Sequence, residues 1–203
     1  MLKNTLFLLA LLLPAAARAQ PRGPGTYALA SDPHKSYRGA LLLSESGLRV
    51  KDEAGNASRI APEVLAYAKT DDGRVFVPAA GFLVPSGATY QKMGPTLVER
   101  LDSGRVCLLR YESATAGVLR YDGAYERTSQ VSVYLARPAG AAEAVSLPAY
   151  AWTNQGAKLH AALRPYAAGR PDLLALLDGS AVRDDTLPAF FRALNSGQPF
   201  VKP

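Results

Sequence analysis

Short apolar runs separated by glycine-bearing turns fill the middle of this chain, and that alternation restricts the fold more than any other feature. Gly39–Ser44 (GALLLS) runs into Glu45-Ser46-Gly47 and then Leu48–Asp52 (LRVKD); Glu53-Ala54-Gly55-Asn56 is the next turn. Glu63–Thr70 (EVLAYAKT) meets Asp71-Asp72-Gly73 and then Arg74–Ala79 (RVFVPA). Thr96–Leu101 (TLVERL) meets Asp102-Ser103-Gly104 and then Arg105–Glu112 (RVCLLRYE). Gly117–Tyr121 (GVLRY) meets Asp122-Gly123, and Ser129–Arg137 (SQVSVYLAR) follows. Such punctuation predicts consecutive antiparallel strands joined by tight turns. Gly47, Gly73 and Gly104 are expected at positive φ, where a Cβ would clash. Their separations of 26 and 31 residues are too uneven for a solenoid repeat.

The last quarter changes period. Leu159, Leu163 and Tyr166 fall on one helical stripe that Thr153 or Asn154 can cap, and Pro165 is expected to end or kink it. Pro171 opens a second helix through LLALL, with Gly179 past its end. Asp185 or Thr186 caps a third, in which Leu187, Phe190, Phe191 and Leu194 share a face and Gly197 closes the helix. None is long enough to hold alone, so all three must pack on the sheet or on each other. The predicted fold is α+β: an antiparallel meander or curled sheet over about residues 37–136, followed by three short C-terminal helices packed on it.

Residues 20–36 (QPRGPGTYALASDPHKS) carry three prolines and two glycines and read as an extended lead-in. Ahead of them, Lys3, the apolar run Leu6–Leu13 and Ala17-Arg18-Ala19 have the three-part layout of a secretory signal peptide over residues 1–19. The apolar run of eight is far short of the ~20 residues of a membrane span. The remainder, 37–203, is expected to form one domain, β-rich over 37–147 and helical over 152–197, joined by the small-residue connector Pro138–Ala142. The expected location is exported: periplasmic or secreted, or associated with the outer membrane.

Loss of Lys3 and Arg18 with the leader lowers Lys plus Arg from 23 to 21 against 17 acids, so the net charge falls from +6 to +4. That excess is small and its residues are scattered along the chain, so nucleic acid is not expected as a partner.

The strand-like APEVLAYAKTDDGRVFV, the hairpin-like LVERLDSGRVCLLRYE and the helical LHAALRPYAAGRPDLLALLDG occur in that order. This series resembles a group of exported β-rich proteins of Bacteroidota-type bacteria, some of which carry an outer-membrane β-barrel after the β-rich part. The resemblance covers about residues 37–196. It implies an envelope location and transfers no reaction and no functional residue.

Chemistry-bearing motifs are sparse. Structural zinc needs four Cys or His ligands, and the chain has one Cys and two His, at 34 and 160. Asp71-Asp72 and Asp184-Asp185 lack the alternating oxygen ligands of a calcium loop and suit turns and caps. There is no Gly-x-Ser-x-Gly elbow and no phosphate-binding glycine loop. Glu99, Glu112 and Glu126 lie in or beside strands, where a pair facing one cleft could serve a hydrolase. Arg110-Tyr111 and Arg120-Tyr121 are the candidate ligand patch: if their strands pair, the arginines share a face and could meet a glycan or lipid headgroup, with tyrosine at its edge.

Cys107 sits between Val106 and Leu108 on the second strand of the 97–111 hairpin. Apolar residues on both sides of that strand predict coverage on both faces, with Val106 and Leu108 on one and Cys107, Leu109 and Tyr111 on the other. Cys107, Gly104, Gly73 and Gly47 are therefore expected to be structural, with the thiol in the core near the centre of the sheet. No catalytic residue, cofactor or metal ligand is expected. The functional expectation is an exported, non-enzymatic envelope module that binds an envelope protein, glycan or lipid headgroup. The alternative is a small secreted hydrolase using carboxylates or a histidine in a cleft between sheet and helices.

Overall fold

The computed structural model describes residues 22–52, 54–86, 89–114, 130–149 and 155–203. The leader, Arg120, Tyr121, Glu126 and the cap candidates Thr153 and Asn154 lie outside the described residues. A ten-stranded antiparallel sheet is followed by three helices packed on it. Along the chain the strands are β1 (Arg22–Leu29), β2 (Asp32–Ser44), β3 (Gly47–Lys51), β4 (Ala57–Ile60), β5 (Leu65–Thr70) and β6 (Val75–Ala79). Next comes a separate hairpin, β7 (Leu83–Ser86) with β8 (Thr89–Lys92). The sheet resumes with β9 (Thr96–Asp102), β10 (Val106–Ala114), β11 (Gln130–Pro138) and β12 (Val145–Ser146). The helices are α1 (Gln155–Ala167), α2 (Pro171–Asp178) and α3 (Leu187–Ser196).

The spatial order is β12-β11-β10-β9-β6-β5-β1-β2-β3-β4. The expected meander is therefore interrupted once, because the segment read as a lead-in supplies β1, an inner strand between β5 and β2. Its prolines and glycines hid it, yet each has a place. Pro24 pairs with Ala40 of β2 but precedes the first β5 partner, which is Gly25 opposite Thr70, so its missing N–H breaks no ladder on that side. Gly25 is required for a different reason: a Cβ there would lie 2.4 Å from the Lys69 carbonyl oxygen and 2.7 Å from a Leu41 methyl.

Chain length forces the sheet to curl. Between β4 and β5 lie four inter-strand steps, about 19 Å across a flat sheet. Only residues 61–64 connect them, and Pro62–Val64 is coiled into a 3-10 turn, so the link falls short of the ~3.5 Å per residue of an extended chain. The β2–β3–β4 end must therefore fold back over β5, β6 and β9. Leu41, Leu43, Leu48 and Val50 accordingly share a core with Leu65, Ala68, Phe76 and Leu97. Thr96 Oγ1 donates to the Glu45 carbonyl at 2.7 Å, tying β9 to the β2–β3 turn.

The same concave face of β10 and β11 receives the helices: Val106, Leu108 and Ala136 pack with Leu159, Leu163, Leu173, Phe190 and Phe191. On the opposite face Val77, Val98, Leu109 and Leu135 lie under Phe82 and Val84 of the β7–β8 segment. That cover is held by Ser146 Oγ, which accepts the Leu83 N–H at 2.8 Å and donates to the Leu83 carbonyl at 2.7 Å.

Helix positions agree with the sequence pattern, with two differences. Pro165 lies inside α1, which runs only two residues beyond it, so the ring interrupts just the final turn. At the end of α2, Gly179 has φ −78° and Ser180 takes the left-handed conformation at φ 54°. Gly197 ends α3 at φ 73°, as expected. No helix among the described residues is long and apolar enough to cross a membrane.

Candidate functional site

Two arrangements of charged side chains distinguish the two faces of the sheet. On the concave face, β6, β9, β10 and β11 bring Phe76, Glu99, Arg110 and Tyr134 into one cross-strand row. Arg74 sits two residues before Phe76, with its guanidinium carbon 5.0 Å from that ring's centre. Arg74 reaches Glu99 with both arms: Nε to Oε1 at 2.9 Å and Nη2 to Oε2 at 3.1 Å. Arg110 donates twice to Oε2, from Nη2 at 2.6 Å and from Nε at 3.2 Å, and also pairs with Glu112 at 3.2 Å.

Glu99 is the only buried carboxylate among the described residues, at 8% exposure. Burial pushes its pKa up, but the hydrogen bonds and charges of Arg74 and Arg110 outweigh that and hold it below the usual glutamate range. The Glu99 bond first, then its charge, raise Arg74 against desolvation; the same carboxylate raises Arg110 in spite of the desolvation that opposes it. A general acid or base works best with a pKa near the operating pH. Glu99 is displaced in the opposite direction and both oxygens are occupied. The cluster is a brace across β6, β9 and β10, placed where the helix-covered core meets the core inside the curl.

On the outer face no described element covers the β2–β3–β4 end. Leu42, Arg49 and Arg59 stand opposite one another across three strands, and Ala40, Lys51 and Ala57 form the next row. Thr26 of β1 stands between Lys69 of β5 and Arg38 of β2 in a further row. Arg38, Arg49, Lys51, Arg59 and Lys69 are all exposed. Arg38 pairs with Asp71 at 2.8 Å, and Arg59 donates to the Ser46 hydroxyl at 2.8 Å. Among the described residues no carboxylate pairs with Arg49, Lys51, Arg59 or Lys69. These cations look scattered in sequence, but two consecutive hairpins assemble 49, 51 and 59 on one surface.

Of the ligand patch expected from sequence, Arg120 and Tyr121 lie outside the described residues. Arg110 lies on the concave face, engaged with Glu99, whereas Tyr111 is buried on the other face against Phe82, ring centres 5.4 Å apart. Of the three glutamates considered for catalysis, Glu99 and Glu112 meet through Arg110. His34 is exposed on β2; His160 is buried, with Nε2 2.9 Å from the Val182 carbonyl oxygen. Arg74 was missed because an arginine after Asp-Asp-Gly reads as turn chemistry.

The structural residues divide. Gly47 and Gly73 have φ of 128° and 90°, as expected. Gly104 does not have positive φ; a Cβ there would lie 2.6 Å from the Asn195 side chain, so proximity to α3 excludes one. Cys107 is partly exposed rather than core, and β10 is third from the sheet edge rather than central. The two faces of β10 are nevertheless divided as expected, with Val106 and Leu108 under the helices and Leu109 and Tyr111 under the hairpin.

No family model, no curated protein and no solved structure matches this chain.

Proposed function

We propose that this chain is an exported, non-enzymatic envelope module that binds its partner through the uncovered outer face of β2, β3 and β4. The observation that carries the reading is the unequal cover of the sheet's outer side. The β7–β8 segment closes its apolar part, whereas the part bearing Arg49, Lys51 and Arg59 has no cover among the described residues. Like charges placed directly opposite on neighbouring strands are destabilising. Arg49 facing Arg59 is such a pair, which a binding surface explains and packing does not. The leader-like residues 1–19 and the resemblance to exported Bacteroidota-type proteins belong to the same reading.

The hydrolase alternative has weaker support: Glu99, its buried carboxylate, is committed to two guanidiniums. The test is affinity capture. The chain without residues 1–19 is immobilised and exposed to solubilised envelope from cells that make it. Selective retention of an envelope component, reduced by Arg49→Gln with Arg59→Gln, is expected. Equal retention by the variant contradicts the reading.

A further inference from the structure

We infer that the outer face of β2, β3 and β4 docks on an anionic membrane surface, taking phosphate-bearing lipid headgroups as its ligand. This rests on the reading of the chain as an envelope-binding module and names that module's ligand. Three properties of the face favour a membrane over a point anion.

The first is how the charge is spread. Arg49 and Arg59 are directly opposite, about 5 Å apart at Cβ, and Lys51 follows Arg49 by two residues, about 7 Å along the strand. All three project from a sheet that curls away from them, since Leu48 and Val50, at alternate positions, point into the curl. Long flexible cations fanned over a convex surface can each meet a different headgroup. A loop or a helix terminus, by contrast, aims its backbone N–H groups at a single phosphate.

The second is charge balance. Arg38 is matched by Asp71, which leaves Arg49, Lys51, Arg59 and Lys69 without a carboxylate partner among the described residues. An anionic bilayer attracts each such cation, contributing about five-fold in partitioning per Lys or Arg within a Debye length of the surface.

The third is the composition of the rows. Leu42 stands beside Arg49, and Ala40 and Ala57 flank Lys51. Small and apolar residues between the cations let the sheet approach the interface closely.

The experiment is co-sedimentation of the chain lacking residues 1–19 with phosphatidylglycerol/phosphatidylcholine vesicles and with pure phosphatidylcholine vesicles. The expected result is binding to the anionic vesicles only, weakening as salt rises. The triple variant Arg49→Gln, Lys51→Gln, Arg59→Gln is expected to bind on the order of 100-fold more weakly. Its thermal midpoint should be unchanged or raised, because it removes a like-charge pair. A second triple variant, Lys158→Gln, Arg192→Gln, Lys202→Gln, carries the same change in net charge on other exposed positions and should bind nearly as the parent.

Equal binding to both vesicle types, or equal loss in the two triple variants, overturns the inference. So does displacement by inorganic phosphate at matched phosphate concentration, which would indicate a free-anion site, or preference for a soluble anionic polysaccharide. If the parent ignores vesicles but still retains an envelope component in the affinity capture, the lipid ligand is wrong and the binding-module reading stands. If it does neither, both fail.

Discussion

Arg74 grips Glu99 in a two-point pair, Nε to Oε1 at 2.9 Å and Nη2 to Oε2 at 3.1 Å, while Arg110 closes on the same carboxylate from the next strand. Glu99→Gln leaves the partly buried Arg74 without its paired carboxylate and Arg110 with Glu112 alone. Both remain about a third exposed, so the loss should fall below the 3–5 kcal/mol of a fully buried pair, at about 2 kcal/mol. Chemical denaturation of the two proteins at neutral pH measures it.

The same carboxylate sets an acid dependence. Its folded pKa is depressed, so the unfolded chain binds the proton more readily. The stabilisation is complete above the ordinary glutamate value of about 4.3 and is lost as pH falls through the lower folded value. The parent should therefore lose stability more steeply than Glu99→Gln below that pH. Parallel acid limbs in thermal melts would contradict the brace.

Asn195 of α3 joins the helices to the sheet. Its Oδ1 accepts the Val106 N–H at 3.1 Å, and its Nδ2 donates to the Val106 carbonyl at 2.9 Å and to Asp102 at 2.7 Å. Asn195→Ala should cost about 1–3 kcal/mol by stranding strand groups. Gly104→Ala should also destabilise, by forcing the Asn195 side chain away. In the double variant the two effects should be clearly less than additive, because both act on one contact. Additive losses in a double-mutant cycle would separate the two residues.

That contact also marks where sequence reasoning stops. Period and turn chemistry sufficed for α2, α3 and the 96–111 hairpin, because those signals are local. Gly104 sits in the turn that pattern indicates, yet its reason for being glycine is ninety-one residues away at Asn195. Pro24 and Gly25 look like loop residues until β5 is placed beside them. Arg74 reads as turn chemistry and Glu99 as one of three strand glutamates, and only the register of β6 against β9 makes them partners. Likewise Arg49 and Arg59 become a surface only when β3 pairs with β4. Strand order and register are non-local, and the features that depended on them were the illegible ones.

Neighbouring positions on β10 should respond very differently. Leu109 is fully buried under the hairpin segment, so Leu109→Ala should cost about 2–5 kcal/mol. Cys107 is partly exposed on the same face, so Cys107→Ser should stay within about 1 kcal/mol, since solvent can satisfy the hydroxyl. Urea unfolding of both variants makes the comparison, and a large loss at Cys107 would place the thiol in the core.

The docking face is tested most directly by a lysine-acetylation footprint taken with and without anionic vesicles. Lys51 and Lys69 lie on the outer face at exposed positions, and Lys158 is exposed on α1, which packs on the concave side. The account predicts that vesicles slow acetylation of Lys51 and Lys69 several-fold and leave Lys158 unchanged. Uniform slowing of all three, or protection of Lys158 alone, would contradict it.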